Sequence, residues 1–256
     1  MDSGSKRAPL LPPVDPASLS APNRGRAAFL AILTTGLVLF LVLLPAEARA
    51  SLWTGLIDQR ALVVLLSVFA VLTISLIGSR GQLLDARVFV LLNMRIYPTW
   101  LDRGMWFFTQ LGTMVPAFVV AFALLLLRYR NLAAGVVLGT LTLWMLVETI
   151  KLLSYRDRPF LTIEQARVVG WRAIGTSFPS GHTAQAFFLS TLLIQHFQPE
   201  NVWAAALYAA ATLVGFTRIY VGAHYPRDVI AGVVLGSVWG LLAWLVAHGW
   251  LALVSS

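Results

Sequence analysis

Residues 132–153 read LAAGVVLGTLTLWMLVETIKLL, a run whose two charged residues, Glu148 and Lys151, both fall near its end. As a helix rising about 1.5 Å per residue it is about 33 Å long, enough to cross the ~30 Å hydrocarbon core of a bilayer. Further apolar runs occupy 27–45, 61–77, 114–127, 182–193, 202–216 and 229–254, several of them flanked by Trp or Tyr. Such flanks are the aromatic belts of membrane helices. The expected fold is all-α, a polytopic membrane helical bundle of six to seven spans. Between the second and third runs, residues 83–108 mix Val88, Phe89, Leu91, Leu92 and Trp106 with Arg87, Arg95 and Arg103. That mixture predicts a helix lying in the interface, before the remaining runs.

The composition of the whole chain agrees. With 58% hydrophobic and 12% charged residues among 256, it is too apolar for a water-soluble domain of this size. The absence of cysteine excludes disulfides, thiolate metal sites and a cysteine nucleophile. Nineteen Lys and Arg against eleven Asp and Glu leave a formal charge of +8. The arginines sit at the ends of apolar runs, which favours anionic lipid or phosphate as partner over nucleic acid. Residues 1–26, rich in Pro, Ser and Ala, read as a disordered tail, 27–80 as N-terminal transmembrane helices and 81–256 as a second membrane domain, which holds the polar segments described below. Ala48-Arg49-Ala50 resembles a signal-peptidase site, but an apolar run as long as 27–45 is more typical of a retained anchor.

Three polar segments interrupt the apolar pattern. The first is Lys151 followed by Arg156, Arg158 and Pro159; alone it reads as the positive flank of a membrane helix. The second, Phe178-Pro179-Ser180-Gly181-His182-Thr183, reads as a helix start with a capping serine. A helix N-terminus also offers free N–H groups to a phosphate oxyanion, and His182 stands beside it in the first turn. The third runs from Arg218 through His224 to Asp228. A carboxylate four residues from an imidazole can fix its tautomer and leave the other ring nitrogen free to attack.

Read together, Lys151 with six residues before Arg158-Pro159, Pro179-Ser180-Gly181-His182, and Arg218 with five residues before His224 and three more before Asp228 resemble the type 2 phosphatidic acid phosphatase family. That superfamily also holds vanadium haloperoxidases and glucose-6-phosphatase. The resemblance extends from about Asp85 to the C-terminus. Thr217 stands where the family commonly has serine, and Arg227 occupies a variable position with no assigned role. The resemblance implies that His224 is the nucleophile forming a phosphohistidine, that Asp228 orients it, and that His182 protonates the leaving oxygen. It further implies that Lys151, Arg158 and Arg218 hold the phosphate oxygens with Ser180 and the backbone N–H of Gly181. No metal and no cofactor are implied. Glu148, three residues before Lys151, shares its helix face and is placed to position it.

The expected substrate is a lipid phosphate or polyprenyl diphosphate, such as undecaprenyl diphosphate, phosphatidylglycerophosphate or phosphatidic acid. A phosphotransferase passing the same group to an alcohol is the alternative. A transporter would show broken helices in repeated halves, and no such repeat is visible. Positive-inside logic puts the Arg128-Tyr129-Arg130 turn in the cytoplasm and the motifs on the extracytoplasmic side of the cell membrane. Lys6, Arg7, Arg24, Arg26 and the charges of Arg80 to Arg103 vote the other way.

Overall fold

A computed structural model describes residues 60–75, 79–154 and 156–254. The expected tail over 1–26, the first apolar run and Ala48-Arg49-Ala50 lie outside them. Among the described residues all regular structure is helical: α1 (Arg60–Ser75), α2 (Ser79–Asn93), α3 (Thr99–Gln110), α4 (Met114–Leu126), α5 (Arg130–Ser154), the single turn α6 (Pro159–Thr162), α7 (Gly181–Phe197), α8 (Asn201–Tyr220) and α9 (Pro226–Val254).

The apolar runs within 61–254 thus become helices with boundaries close to those expected. The six to seven spans expected for the whole chain are not confirmed, and the first expected run lies outside the described residues. Among the described residues three helices, within α5, α8 and α9, are long and apolar enough to cross a bilayer, or four if the bent pair α3–α4 is one span. The others are shorter for a physical reason. Helix α7 has only 17 residues, nine of them buried, because it runs inside the bundle between α5, α8 and α9 rather than against lipid. Helices α3 and α4 meet at 55°. At their break sits Gly112, where a Cβ would come within 2.8 Å of the carbonyl and Cβ of His182. The break admits the first turn of α7.

The axis of the bundle is the α7–α9 seam. Gly232, Gly236 and Gly240, spaced by four, face the backbone of α7: an added Cβ would press on the carbonyls of Ser180, Ala184 and Phe188 in turn. Between helices in lipid, where apolar burial gives little drive, such close backbone approach supplies the packing energy. Around the seam, Val136, Leu143 and Val147 of α5 join Ala184, Phe188 and Leu192 of α7 and Leu235 of α9 in the main core. At the far end Tyr129, in the α4–α5 turn, packs edge-on against His196 and Phe197 at the end of α7. Because α5 and α7 both run away from that end in opposite chain directions, the end of α5 and the start of α7 meet at the other.

The interfacial helix expected over 83–108 is two helices, separated at 94–98 where Pro98 precedes α3. Leu84 and Leu91 of α2 are exposed, but Asp85, Ala86, Phe89, Val90 and Asn93 are buried against Ile219 and Tyr225. Asn93 donates to the Tyr220 carbonyl at 2.8 Å and the Arg167 carbonyl at 3.0 Å, and accepts from the Arg167 N–H at 2.8 Å. Those bonds bolt α2 beneath the loop between α8 and α9.

Candidate active site

All three polar segments end at this one end of the bundle, and the backbone ties them to one another. Helix α5 stops at Ser154 and the chain turns extended, with Arg158 before Pro159 at the first position of α6. The approach to α7 pairs with this stretch: the Ser177 N–H donates to the Arg156 carbonyl at 2.7 Å and Thr176 Oγ1 to the Lys151 carbonyl at 2.8 Å. The Ser180 N–H donates to the Asp228 carbonyl at 2.9 Å, joining the second segment to the third. In the third, Gly222 has φ +87°, a left-handed conformation that glycine tolerates, and a Cβ there would strike the Arg167 carbonyl. This turn carries His224 from α8 to α9.

His224 is 2% exposed. Its Nδ1 lies 2.7 Å from the Ser177 carbonyl but 3.7 Å from Asp228 Oδ2. A carbonyl only accepts, so Nδ1 carries the proton and Nε2 keeps a lone pair. At 3.7 Å Asp228 acts on the ring as a charge and makes no hydrogen bond. Asp228 is expected to orient His224; in this structure Nδ1 donates to the Ser177 carbonyl, which sets the tautomer, and Asp228 stands farther off. Asp228 is itself held, Oδ2 by the Tyr225 N–H at 2.8 Å and Oδ1 by Arg156 Nη1 at 2.5 Å. Burial pushes the His224 imidazole down to about 3, the nearby Asp228 pulling it up and Arg158 and Arg218 pushing it further down. The ring is neutral at ordinary pH.

Arg158 donates from Nε to Gly175 O (2.9 Å), from Nη2 to Ile174 O (2.9 Å) and from Nη1 to Ala223 O (3.0 Å). The same Nη1 stands 3.4 Å from His224 Nε2. A guanidinium thus faces the lone pair of the imidazole. Arg218, 5% exposed, spends Nη1 on Thr109 Oγ1 at 2.7 Å, while its buried Nε–H has no hydrogen-bond partner. His182 lies within electrostatic reach of Arg218, His224, Lys151 and Arg158. The two imidazoles and three cations of the sequence reading are brought together.

Lys151 forms the expected contact with Glu148, Nζ to Oε1 at 2.7 Å. Ser180 does not cap α7 as expected; its hydroxyl is 2.9 Å from Thr183 Oγ1 instead. Thr217 turns its hydroxyl to the Val214 carbonyl of its own helix, 2.6 Å away. Gly181, His182, Lys151 and Glu148 line a cavity of about 300 Å³ whose remaining wall includes Leu143 and Trp144. Among the described residues no three His, Asp or Glu side chains gather into a group able to hold a metal ion.

The sequence reading missed Asp85, Thr109 and the Ser177 carbonyl, and it quoted Arg156 without a role. Asp85 is the one acidic residue of α2. A lone carboxylate in an otherwise apolar or basic helix was the available signal.

Comparison with known proteins places this geometry. The family model of the PAP2 superfamily matches residues 132–251. An undecaprenyl-diphosphatase of Sulfolobus acidocaldarius is 32% identical over 184 residues, 68% of this chain and 85% of that protein. A lipid A 1-phosphatase of Rhizobium johnstonii is 47% identical over 72 residues, 27% of this chain and 28% of the relative. Among solved structures, LpxE of Aquifex aeolicus aligns with TM-score 0.56 and 29% identity over 61% of this chain and 92% of its own. A PAP2 type phosphatidylglycerolphosphate phosphatase of Bacillus subtilis shares the fold, with TM-score 0.66 at 23% identity over 75% of this chain and 98% of its own. Three linked motif segments, apolar helices and a relative matched over most of its length agree: the chain is an integral membrane phosphatase that belongs to the PAP2 superfamily.

Proposed function

We propose that this phosphatase hydrolyses a polyprenyl diphosphate or a closely related lipid phosphate through a phosphohistidine on His224. The observation that carries the reading is the pairing at His224: Nδ1 committed to the Ser177 carbonyl at 2.7 Å, Nε2 facing Arg158 at 3.4 Å. A phosphoryl group arriving at Nε2 meets a nucleophile and a cation side by side. Nε2 attacks phosphorus, the bond to the leaving oxygen breaks, and His182 supplies the proton that oxygen needs. Water then attacks the phosphohistidine, gives its proton to His182, and phosphate leaves. Lys151, Arg158 and Arg218 stabilise the equatorial oxygens, the orphan Nε–H of Arg218 among the donors, with the hydroxyl of Ser180 and the N–H of Gly181 beside them. Asp228 opposes the positive charge that develops on the ring.

The cavity supports a lipid-like leaving group. Its polar end is His182 and Lys151, and its wall passes through Leu143 to Trp144, which is half exposed on the outside of the bundle. A charged headgroup fits the first and a hydrocarbon chain the second. The site end lies opposite the Arg128–Arg130 turn, which favours an extracytoplasmic site in the cell membrane. Thiol labelling of Asn131→Cys in this cysteine-free chain checks the side: labelling by an impermeant reagent from outside overturns it.

The test of function is phosphate release from a panel of prenyl diphosphates and lipid phosphates in detergent micelles with EDTA, using parent and His224→Ala. The parent turns over at least one of them and the variant none, although it folds. Substantial turnover by folded His224→Ala refutes the nucleophile.

A further inference from the structure

Behind His224 lies a buried ionic group that hydrolysis as described does not use. Arg156, 6% exposed, bridges two carboxylates: Nη1 reaches Asp228 Oδ1 and Nη2 reaches Asp85 Oδ2, each at 2.5 Å. Asp85, 3% exposed on α2, also accepts from Arg227 Nε at 2.6 Å and from the Arg227 N–H at 3.1 Å. Arg227 continues to Ser75 at the end of α1, Nη1 to its carbonyl at 2.7 Å and to Oγ at 2.9 Å. Two positive and two negative charges balance. The Arg156 guanidinium lies over the Tyr225 ring, 4.4 Å from its centre. Gly81 is what lets α2 approach so closely, since a Cβ there would meet the Arg227 guanidinium at 2.6 Å.

We infer that Asp85 and Arg156 are positioning residues for the reaction, a relay by which α2 holds the Asp228 carboxylate at the back of the nucleophilic imidazole. This rests on the reading of His224 as nucleophile. The reason is geometric. Arg156 is held to Asp85 of α2, which Arg227 holds in turn, so the guanidinium that grips the Asp228 carboxylate cannot move without breaking bonds to a second helix. Breaking a buried pair on one side leaves an uncompensated charge close to the reacting ring. Asp85 stands outside residues 132–251, the stretch matched by the family model, so an element preceding that stretch completes the site.

Contact with substrate is not part of this role, so the relay should affect turnover and spare binding. The experiment measures kcat and KM for a prenyl diphosphate in detergent micelles, competitive inhibition by inorganic phosphate, and thermal unfolding. It compares the parent with Asp85→Asn, Arg156→Lys and Asp102→Asn. Asp102 is the control, a carboxylate ion-paired to Arg167 at 2.6 Å and bonded by the Tyr220 hydroxyl at 2.6 Å, away from His224. The expected result for Asp85→Asn is kcat lower by about tenfold or more, the scale of coupling between groups in one network, with KM and inorganic phosphate affinity within about twofold. Arg156→Lys, which keeps the charge but cannot bridge two carboxylates, shows the same split and serves where Asp85→Asn does not fold. Asp102→Asn lowers the unfolding temperature without that loss of kcat. The inference is overturned if folded Asp85→Asn or Arg156→Lys keeps kcat within twofold of the parent, or if kcat and inorganic phosphate affinity fall together. Residual turnover of His224→Ala in the same assay would instead sink the nucleophile reading beneath it.

Discussion

Arg158→Lys is the most informative single substitution at this site, because the charge survives while the shape is lost. Arg158 directs three donors at the carbonyls of Ile174, Gly175 and Ala223, over 2.9–3.0 Å, and leaves one N–H edge facing His224 Nε2. Each hydrogen bond involving a charged group contributes about 1.5–3 kcal/mol. A lysine ammonium, one point on a flexible stem, keeps at most one of the three carbonyls and cannot present a planar edge to phosphate. Losing one preorganised donor to developing charge alone costs about 10²–10³ in rate, or roughly 3–4 kcal/mol. The carbonyl bonds lost in addition appear as lower stability, since they anchor residues 174–175 to the site. The assay is kcat/KM for phosphate release in detergent micelles, paired with thermal unfolding of the same preparations. A drop of about 10²-fold or more in kcat/KM is expected, with a lower unfolding temperature. Folded Arg158→Lys with kcat/KM within tenfold of the parent refutes the claim that this guanidinium faces the transferring group.

Two further outcomes follow from the packing and the buried imidazole. Gly236→Val forces a side chain onto the α7 backbone, within 2.9 Å of the Ala184 carbonyl carbon and Phe188 N at the Cβ alone. Overpacking of this kind costs about 1–3 kcal/mol, so both unfolding temperature and activity fall, whereas Gly104→Ala, inside α3 with nothing within 4 Å of its Cβ, leaves activity unchanged and raises the unfolding temperature slightly, by the helix preference of alanine over glycine of about 0.5–1 kcal/mol. His224 refuses a proton when folded, at about 3, but takes one when unfolded, near 6.5. The unfolded state therefore binds more protons below about pH 6.5, and stability declines as pH falls from there toward 3. Thermal unfolding against pH, compared between parent and His224→Gln, measures this: the variant has the flatter slope between pH 7 and 5.

The candidate site residues were legible in the sequence because their spacing is local. Lys151 to Arg158, Pro179 to His182 and Arg218 to Asp228 each fall within one short segment, and their types fit phosphate without reference to fold. The apolar runs marked α4, α5, α8 and α9 because lipid or a dry bundle interior demands continuous hydrophobicity. The same signal does not by itself count spans. A run such as 182–193 looks alike whether lipid or protein surrounds it, and only packing shows that α7 is enclosed.

The sequence by itself therefore determined the solvent, the helical class and the phosphate chemistry, since composition and short-range spacing are properties of the chain alone. Tertiary structure decided which groups act on one another. That Ser177 offers a carbonyl to His224, that Asp85 meets Arg156 across 71 positions, and that three glycines bring α9 onto α7 are consequences of long-range approach. Backbone carbonyls carry no residue signature, and a buried charge declares its partner only when the helices that bear the two are packed.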